Sequence, residues 1–310
     1  DLFYCEEGKY FFGGKTIHDS HRYGWLPFYK IIQHSSNIGA TKVAEKLKKD
    51  RLYRYIEKFG FGKPTGIDMP GEVAGLLRPA DSWSTIDLAT HTFGQGIAVT
   101  PIQLVMAYAA IANGGFLMRP FVVRRVVGPD GAVLEANQPH VVRRVISEKT
   151  ARLLTSILKG VVNEGGTGVM ASVEGFDVAG KTGTAQKADL TNGGYAAKKR
   201  VASFIGFVPA DHSRMVLLVL IDEPEVNVYG GIVAAPAFRS IARGVLRHLR
   251  VFPENAEAPL LPTQQDSLQP ERRTSYIALR QESEHEVPDF HGLSLREALE
   301  KAHTLKLRVE

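Results

Sequence analysis

The chain has 310 residues, 44% of them hydrophobic and 23% charged, which is ordinary for a globular protein with one large domain and a smaller piece. Its longest apolar run, residues 215–221, is far shorter than the roughly 20 residues of a membrane-spanning helix. Its net charge of +5 comes from scattered basic pairs, which argues against nucleic-acid binding.

In the first 162 residues, apolar residues recur mainly at helical spacing. The predicted elements are a helix at 38–47, a helix at 100–114, two strands within 121–146 joined by a turn at 128–131, and a helix at 147–162. Thr100 and Gln103 form a capping-box pattern at the start of the second helix. The third helix is predicted to bury Leu153, Leu154, Ile157, Leu158 and Val161.

The next segment is predicted to contain three strands and a closing helix. The strands span residues 176–185, 201–208 and 215–221, and the helix spans residues 236–250. The third strand is apolar throughout, which predicts a central strand covered on both faces. The helix is predicted to bury Phe238, Ile241, Ala242, Val245, Leu246 and Leu249. Adjacent strands flanked by helices predict an α/β (α+β) fold, with an antiparallel sheet sandwiched by helices.

The composition changes after this first domain, which is predicted at residues 1–250. Residues 251–286 are rich in Pro, Gln, Glu and Ser, which is typical of a linker. Order returns at residues 287–310, where Ser294 and Glu297 form another capping-box pattern. So short a segment cannot bury a core alone, and we expect the truncated start of a second domain.

Two short motifs carry the candidate chemistry. In QHSSNIGA, Ser35 offers a hydroxyl for proton relay and Asn37 an amide that can grip a peptide backbone. The alternative is that these two residues only cap the following helix. In VAGKTGTAQ, Lys181 and Thr182 on a strand offer a cation and a hydroxyl to a carboxylate. Gly183 leaves room for a ligand backbone to lie alongside as an added strand.

A competing interpretation treats residues 175–182 as a phosphate-binding loop, because they match G-x-x-x-x-G-K-[ST]. Residues 216–222 also resemble an apolar strand that ends in a magnesium-binding aspartate. A phosphate loop needs an apolar strand before its first glycine and a helix that begins at its lysine. The residues around Lys181 fit neither requirement, so no nucleotide site is predicted.

Acyl transfer through a serine also needs a nucleophile, commonly in a Ser-x-x-Lys sequence. The chain contains one such sequence, formed by Ser156 and Lys159. It lies among core leucines of a predicted helix, and Lys159 is expected to be a solvated cation near the helix end. His18, Asp19 and His21 lack the spacing of metal ligands and are expected in a turn or on the surface. No metal and no other cofactor is predicted.

Several stretches resemble class B penicillin-binding proteins, the monofunctional peptidoglycan D,D-transpeptidases of bacterial division and elongation. In the order typical of that family's transpeptidase domain, they are QHSSNIGA, FGFGKPTGIDMPGEVAGLLRP, FGQGIAVTPIQLVMAYAAIANGG, NEGGTG and VAGKTGTAQK. The likeness covers residues 1–250. VPDFHGLSLREALEKA resembles the opening of a PASTA domain, a small β/α module of some division-type members, and favours the division subtype.

The resemblance implies a penicillin-binding transpeptidase fold, similar to that of serine β-lactamases, and a role for each motif residue. Ser35 would exchange a proton with the lysine of a Ser-x-x-Lys motif, and Asn37 would hold the substrate amide. Lys181 and Thr182 would orient the substrate. Thr184 would contact its terminal carboxylate and supply one oxyanion donor through its N–H. The nucleophile is expected upstream of the first residue, so the 310-residue chain itself is expected to be inactive.

The implied function is cross-linking of peptidoglycan stem peptides through a serine acyl-enzyme during septal cell-wall synthesis. The implied ligands are stem peptides and β-lactams, and the implied partners are membrane proteins of the division complex, with no nucleic acid and no nucleotide. The implied location is the bacterial cell membrane, with the catalytic domain on the extracytoplasmic (periplasmic) side and the anchor outside this chain. Two alternatives stay open: a D,D-carboxypeptidase or β-lactam-binding sensor of the same fold, and a non-catalytic cell-wall-binding protein.

Overall fold

The computed structural model of the protein describes residues 1–189, 194–253 and 304. The strands are β1 (Leu2–Tyr4), β2 (Lys9–Phe12), β3 (Lys15–His18), β4 (Trp25–Pro27), β5 (Phe116–Arg119), β6 (Arg125–Val127), β7 (Val133–Ala136), β8 (His140–Arg144), β9 (Ala179–Ala188), β10 (Tyr195–Val208) and β11 (Met215–Asp222). The helices are α1 (Phe28–His34), α2 (Asn37–Leu47), α3 (Lys49–Lys58), α4 (Thr85–Thr92), α5 (Pro101–Ala112), α6 (Glu148–Val162), α7 (Gly230–Val233) and α8 (Ala235–His248). The four predicted helices are confirmed as α2, α5, α6 and α8.

The main sheet is antiparallel and has the strand order β11-β10-β9. Its register places Lys181 opposite Ile205 and Thr182 opposite Phe204. Because β10 occupies the middle, β9 is an edge strand, and its outer side faces no other strand in the described part of the chain. The three predicted strands are confirmed, and the third motif lies on an open sheet edge.

The predicted central position of the apolar strand at residues 215–221 is wrong. Within the described residues, β11 pairs with β10 on one side only. Its odd-numbered apolar residues pack against the cluster around Phe238 of α8, whereas Val216 packs against a cluster that includes Tyr108 of α5. Alternate side chains of a strand point to opposite faces, so helices contact β11 on both sides. An edge strand in this position has the same apolar pattern as a central one.

Helices cover both faces of the sheet, as the sequence predicted. On one face, Phe204 and Phe238 are fully buried, and their rings meet edge to face with centroids 4.7 Å apart. Burial of each ring stabilises the fold by about 1.5–3 kcal/mol, and the ring pair adds about 0.5–1.5 kcal/mol. On the other face, Phe207 packs with Leu158 of α6. The core therefore lies directly behind the strand that carries the Lys-Thr-Gly-Thr motif.

Two predicted helix faces are wider than the observed ones. In α6, Leu153 is 60% exposed although its neighbours Ile157 and Leu158 are buried. Ile241 of α8 is 45% exposed, and Leu249, which follows the last residue of α8, is 44% exposed. Leu153 and Ile241 lie at the margin of an apolar stripe, where a helix that packs on a sheet by one narrow face leaves side chains in solvent. Leu249 is exposed because the helix ends before it.

The two strands predicted on either side of residues 128–131 are confirmed as the hairpin β6–β7, and the same segment also contains β8, which pairs with β5. In α5, Thr100 and Gln103 form the predicted capping box. The linker predicted at residues 251–286 and the second domain predicted at residues 287–310 lie almost entirely outside the described residues and stay predictions. Among the described helices, none is long and apolar enough to cross a membrane.

Candidate active site

Lys181 is the third residue of β9, on the open edge of the sheet. Its side chain is partly buried, and Nζ donates a hydrogen bond to the Thr182 carbonyl oxygen at 3.1 Å. Burial lowers the pKa of Lys181 from 10.5 to about 8, and no carboxylate among the described residues offsets that effect. The amine is therefore charged at neutral pH, can release its proton, and is available to a bound carboxylate.

The strand conformation excludes the phosphate-loop interpretation. A phosphate loop would place Lys181 at the start of a helix, whereas the residue lies within a ten-residue strand. The preceding segment makes a tight turn in which Val173 pairs with Phe176. Asp222, the apparent magnesium ligand, is bonded to Lys187 at 3.0 Å. Neither half of the nucleotide-binding pattern is formed.

The other three motif residues of β9 each have a defined neighbour. The Thr182 hydroxyl lies 2.8 Å from the Thr167 hydroxyl. A Cβ at Gly183 would lie 2.4 Å from the Ser203 Oγ, so the adjacent strand also constrains this position. Thr184 is exposed and accepts a backbone hydrogen bond through Oγ1. These residues line the edge along which an extended ligand could pair.

Gly230, which donates that hydrogen bond to Thr184 at 3.2 Å, was not among the predicted site residues. It begins the short helix α7, and a Cβ at this position would lie 2.1 Å from the Ser203 carbonyl oxygen and 2.4 Å from the Gly183 carbonyl oxygen. Only a glycine lets α7 rest on the sheet behind the motif. The pair of adjacent glycines in the sequence was the available signal.

The Ser-x-Asn motif lies between α1 and α2. Ser35 ends α1 in the left-handed region, with φ 56°, and its exposed hydroxyl bonds to no described residue. Ser36 is the residue that caps α2, because its Oγ accepts a hydrogen bond from the Gly39 N–H at 2.9 Å. Asn37 donates a hydrogen bond from Nδ2 to the His18 carbonyl oxygen at 3.0 Å. The alternative that Ser35 and Asn37 cap this helix is therefore wrong.

Strain at Ser35 is consistent with a functional position. Left-handed backbone at a residue other than glycine costs on the order of 1–3 kcal/mol and persists only where the surroundings impose it. Here the Ser35 and Ser36 N–H groups bond to carbonyl oxygens in the last turn of α1, which fixes the bend. The bend leaves the Ser35 hydroxyl free for a reacting group.

Asp19 accepts hydrogen bonds from the start of α2, although it is distant in sequence from that helix. Its Oδ2 accepts a hydrogen bond from the buried Ser36 hydroxyl at 2.6 Å, and its Oδ1 accepts one from the Ile38 N–H at 3.1 Å. His18 and His21 are exposed, as predicted, but the expectation of a plain turn or surface role for Asp19 is wrong. No local pattern indicates this contact, because the partners are 17 and 19 residues away.

The residues at 165–168 connect the two motifs. The ring of His34, next to Ser35, stacks on Tyr23 with centroids 5.3 Å apart. Burial lowers the pKa of His34, and a hydrogen bond with the Gly165 backbone opposes that shift. Two residues further on, Thr167 bonds to Thr182. No hydrogen bond among the described residues joins Ser35 or Asn37 directly to the β9 motif.

Ser156 and Lys159 do not form a nucleophile and base. Both lie within α6, and Lys159 Nζ forms ion pairs with Asp177 at 2.7 Å and with Asp211 at 2.9 Å. Hydrogen bonds to these two carboxylates raise the pKa of Lys159, which prevents it from acting as a base near neutral pH. Its predicted role as a solvated helix-end cation is thus replaced by a bridge to two carboxylates.

Comparison with known families agrees with this geometry. Residues 2–243 match the family model described as the penicillin-binding protein transpeptidase domain. The chain belongs to this transpeptidase family. The match includes both Ser35-Ser36-Asn37 and the motif on β9, so the two sites described above lie within one family domain.

Curated relatives of this transpeptidase domain are similar over most of the chain. Stage V sporulation protein D of Bacillus subtilis is 41% identical over 233 residues, which cover 74% of this chain and 36% of that protein. The probable peptidoglycan D,D-transpeptidase PenA of Neisseria gonorrhoeae is 38% identical over 245 residues, which cover 79% of this chain and 40% of that protein. The chain thus spans about two fifths of the length of these relatives.

Solved structures show the same fold. The apo transpeptidase domain of Burkholderia pseudomallei penicillin-binding protein 3 matches with a TM-score of 0.73 and 37% identity, over 82% of this chain and 74% of that one. Penicillin-binding protein 3 of Mycobacterium tuberculosis in complex with ampicillin matches with a TM-score of 0.74 and 35% identity, over 81% of this chain and 58% of that one. The predicted penicillin-binding transpeptidase fold is confirmed.

Replacement of Asp19 by alanine is expected to destabilise this transpeptidase domain by about 2 kcal/mol. The change leaves the buried Ser36 hydroxyl and the Ile38 N–H without their acceptor. Urea denaturation followed by circular dichroism measures the difference. The exposed Glu225→Ala variant loses the same charge without such contacts and should match the wild type. Equal stability of the Asp19 and Glu225 variants would contradict the capping role.

Proposed function

We propose that this chain is part of a longer peptidoglycan D,D-transpeptidase and forms the substrate-binding edge of its active site. The observation that carries the proposal is the desolvated Lys181 on the open edge of β9, next to the Thr182 hydroxyl. A peptide that ends in a carboxylate can pair with this edge as an added strand. Membership of the transpeptidase family and the name of the Neisseria relative support the same activity.

The charge state of Lys181 suits a carboxylate ligand. A bound carboxylate stabilises the ammonium form and raises its pKa, so the desolvation that lowers the pKa in the free protein is offset when substrate binds. Thr184, whose Oγ1 is held by Gly230, lies further along the same strand and is assigned to the terminal carboxylate. Binding energy is thereby concentrated on one end of the donor peptide.

In the proposed reaction, the longer protein supplies the nucleophilic serine and a lysine base in a Ser-x-x-Lys segment. The serine attacks the carbonyl carbon of the penultimate D-alanine, and the C–N bond to the terminal D-alanine breaks. The leaving nitrogen takes up the serine's proton by way of the lysine and the Ser35 hydroxyl. An amine of a second stem peptide then attacks the ester, returns a proton by the same route and frees the serine.

The remaining motif residues position the reacting atoms. Asn37 holds the amide of the donor stem peptide. The Thr184 N–H is one of two hydrogen-bond donors to the oxyanion that forms during acyl transfer, and such hydrogen bonds contribute strongly to catalysis. We assign the protein to the division subtype and to the extracytoplasmic side of the bacterial cell membrane. The PASTA-like sequence at residues 287–310 supports the subtype, and the location follows because peptidoglycan lies outside that membrane.

Acylation by a carboxylate-bearing penicillin is expected to fall as the pH rises through about 8. Lys181 is charged below this value and loses its proton above it, so its attraction for the penicillin carboxylate weakens. The measurement is the second-order acylation rate of the longer protein between pH 6 and pH 10. The methyl ester of the same penicillin should react slowly and without this fall. Parallel profiles for acid and ester would contradict the role of Lys181.

The reaction itself is tested with the longer protein, a stem pentapeptide and an acceptor amine, with products identified by mass spectrometry. The proposal predicts release of D-alanine together with the cross-linked product. Release of D-alanine with hydrolysis alone would indicate a carboxypeptidase. Neither product from a folded protein would favour a binding role and overturn the proposal.

A further inference from the structure

The residues at 165–168, part of NEGGTG, have no role in the reaction described above. Their backbone is held at both ends, by a Gly166 N–H bond to the Asn163 carbonyl oxygen at 2.9 Å and a Gly168 N–H bond to the Val161 carbonyl oxygen at 2.9 Å. The Thr167 carbonyl oxygen rests on α7, since a Cβ at Gly231 would lie 2.2 Å from it. Thr167 is thereby fixed beside β9.

The two threonine hydroxyl groups of this region form a hydrogen-bonded series with Lys181. Lys181 Nζ lies 3.5 Å from Thr182 Oγ1, and Thr182 Oγ1 lies 2.8 Å from Thr167 Oγ1. An ammonium group only donates, so Thr182 Oγ1 accepts from Lys181, and the Thr182 and Thr167 hydroxyls share one hydrogen bond in which either can be the donor. The Thr182 methyl group faces Gly231 on the other side. Thr167 and Gly231, both outside the β9 motif, therefore hold the rotamer of Thr182.

We propose that Thr167 is a positioning residue for acylation, which acts by orienting the Thr182 hydroxyl beside Lys181. This inference rests on the proposed function, because it assigns a residue to the same site. Thr167 itself is exposed, so a substitution there need not disturb the core. Without the Thr167 hydroxyl as a partner, the Thr182 side chain can occupy other staggered rotamers and no longer presents one fixed acceptor to Lys181.

The test uses the longer protein and four variants: Thr167→Val, Thr167→Ser, Thr182→Val and the double valine variant. Acylation by a fluorescent penicillin is followed by stopped flow, which separates the acylation rate constant from the dissociation constant of the preceding complex. Thr167→Val is expected to lower the rate constant about tenfold, as for loss of one hydrogen bond. Thr167→Ser, which keeps the hydroxyl, should stay within about twofold of the wild type.

The double variant decides whether Thr167 acts through Thr182. If it does, Thr167→Val causes no further loss once Thr182 is valine. Two results would overturn this inference: a further tenfold loss of the acylation rate constant when Thr167→Val is added to Thr182→Val, or an unchanged rate constant in the Thr167→Val single variant. Neither result would affect the proposed function, because the wild type would still be labelled. A folded wild type that takes no label would overturn the proposed function and this inference together. Melting temperatures of all variants show that each is folded.

Discussion

Replacement of Lys181 by methionine is expected to slow acylation of the longer protein by penicillin by about 100- to 1000-fold. The variant has nearly the same shape but lacks the cation that the β9 edge offers to a carboxylate. Lys187→Met, a change on the same strand at a residue paired with Asp222 and Glu223, is the control and should be labelled at the wild-type rate. Equal rates for both variants would contradict the assignment of Lys181.

Lys181→Met is also expected to stabilise the 310-residue chain by about 2 kcal/mol at pH 6, because methionine carries no desolvated charge. The pKa of Lys181 is lowered to about 8 in the fold, against 10.5 normally. Below pH 8 the folded wild type bears the full penalty, which is relieved as the pH rises towards 10.5. Urea denaturation at pH 6 and pH 10 should show the advantage of the variant shrinking. A constant difference would contradict the desolvation account.

Replacement of Gly230 by alanine is expected to destabilise the chain by about 3 kcal/mol, since its Cβ would overlap two backbone carbonyl oxygens that cannot rotate away. Relief of the overlap must move α7 off the sheet, which also removes the hydrogen bond to Thr184. Acylation of the longer protein should therefore fall with stability.

Gly244 in α8 provides the matched control for that change. A Cβ at this position would meet nothing within 4 Å, so Gly244→Ala adds a methyl group in open space and a better helix former. Thermal unfolding should show an unchanged or slightly higher melting temperature. If Gly230→Ala and Gly244→Ala behaved alike, the close approach of α7 to the sheet would be refuted.

Local sequence patterns predicted the elements whose signals are local. The capping box at Thr100 and Gln103 placed the start of α5, and the alternation of Phe176 and Val178 predicted a strand leading into Lys181 despite the match to a phosphate loop. The order of the two motifs and their flanking sequences sufficed to indicate the family, which the comparison confirmed. The capping box, the strand and each single motif depend on residues within a few positions of one another.

Features that depend on tertiary contacts were not predictable in this way. The strand order of the sheet depends on pairing partners, so an apolar pattern did not reveal that β11 is an edge strand. The bonds from Ser36 to Asp19 and from Thr182 to Thr167 join residues 17 and 15 positions apart. Short elements such as α1 offered too little periodicity to recognise. The supporting contacts of the site thus became visible only in the fold.

The most direct test of the account is labelling with a fluorescent penicillin, applied to the 310-residue chain and to the same chain extended upstream through its Ser-x-x-Lys segment. Circular dichroism establishes that both proteins are folded. A covalent label is expected on the extended protein only, at the serine of that segment. A label on the 310-residue chain would contradict the upstream position of the nucleophile, and no label on either folded protein would contradict the transpeptidase assignment.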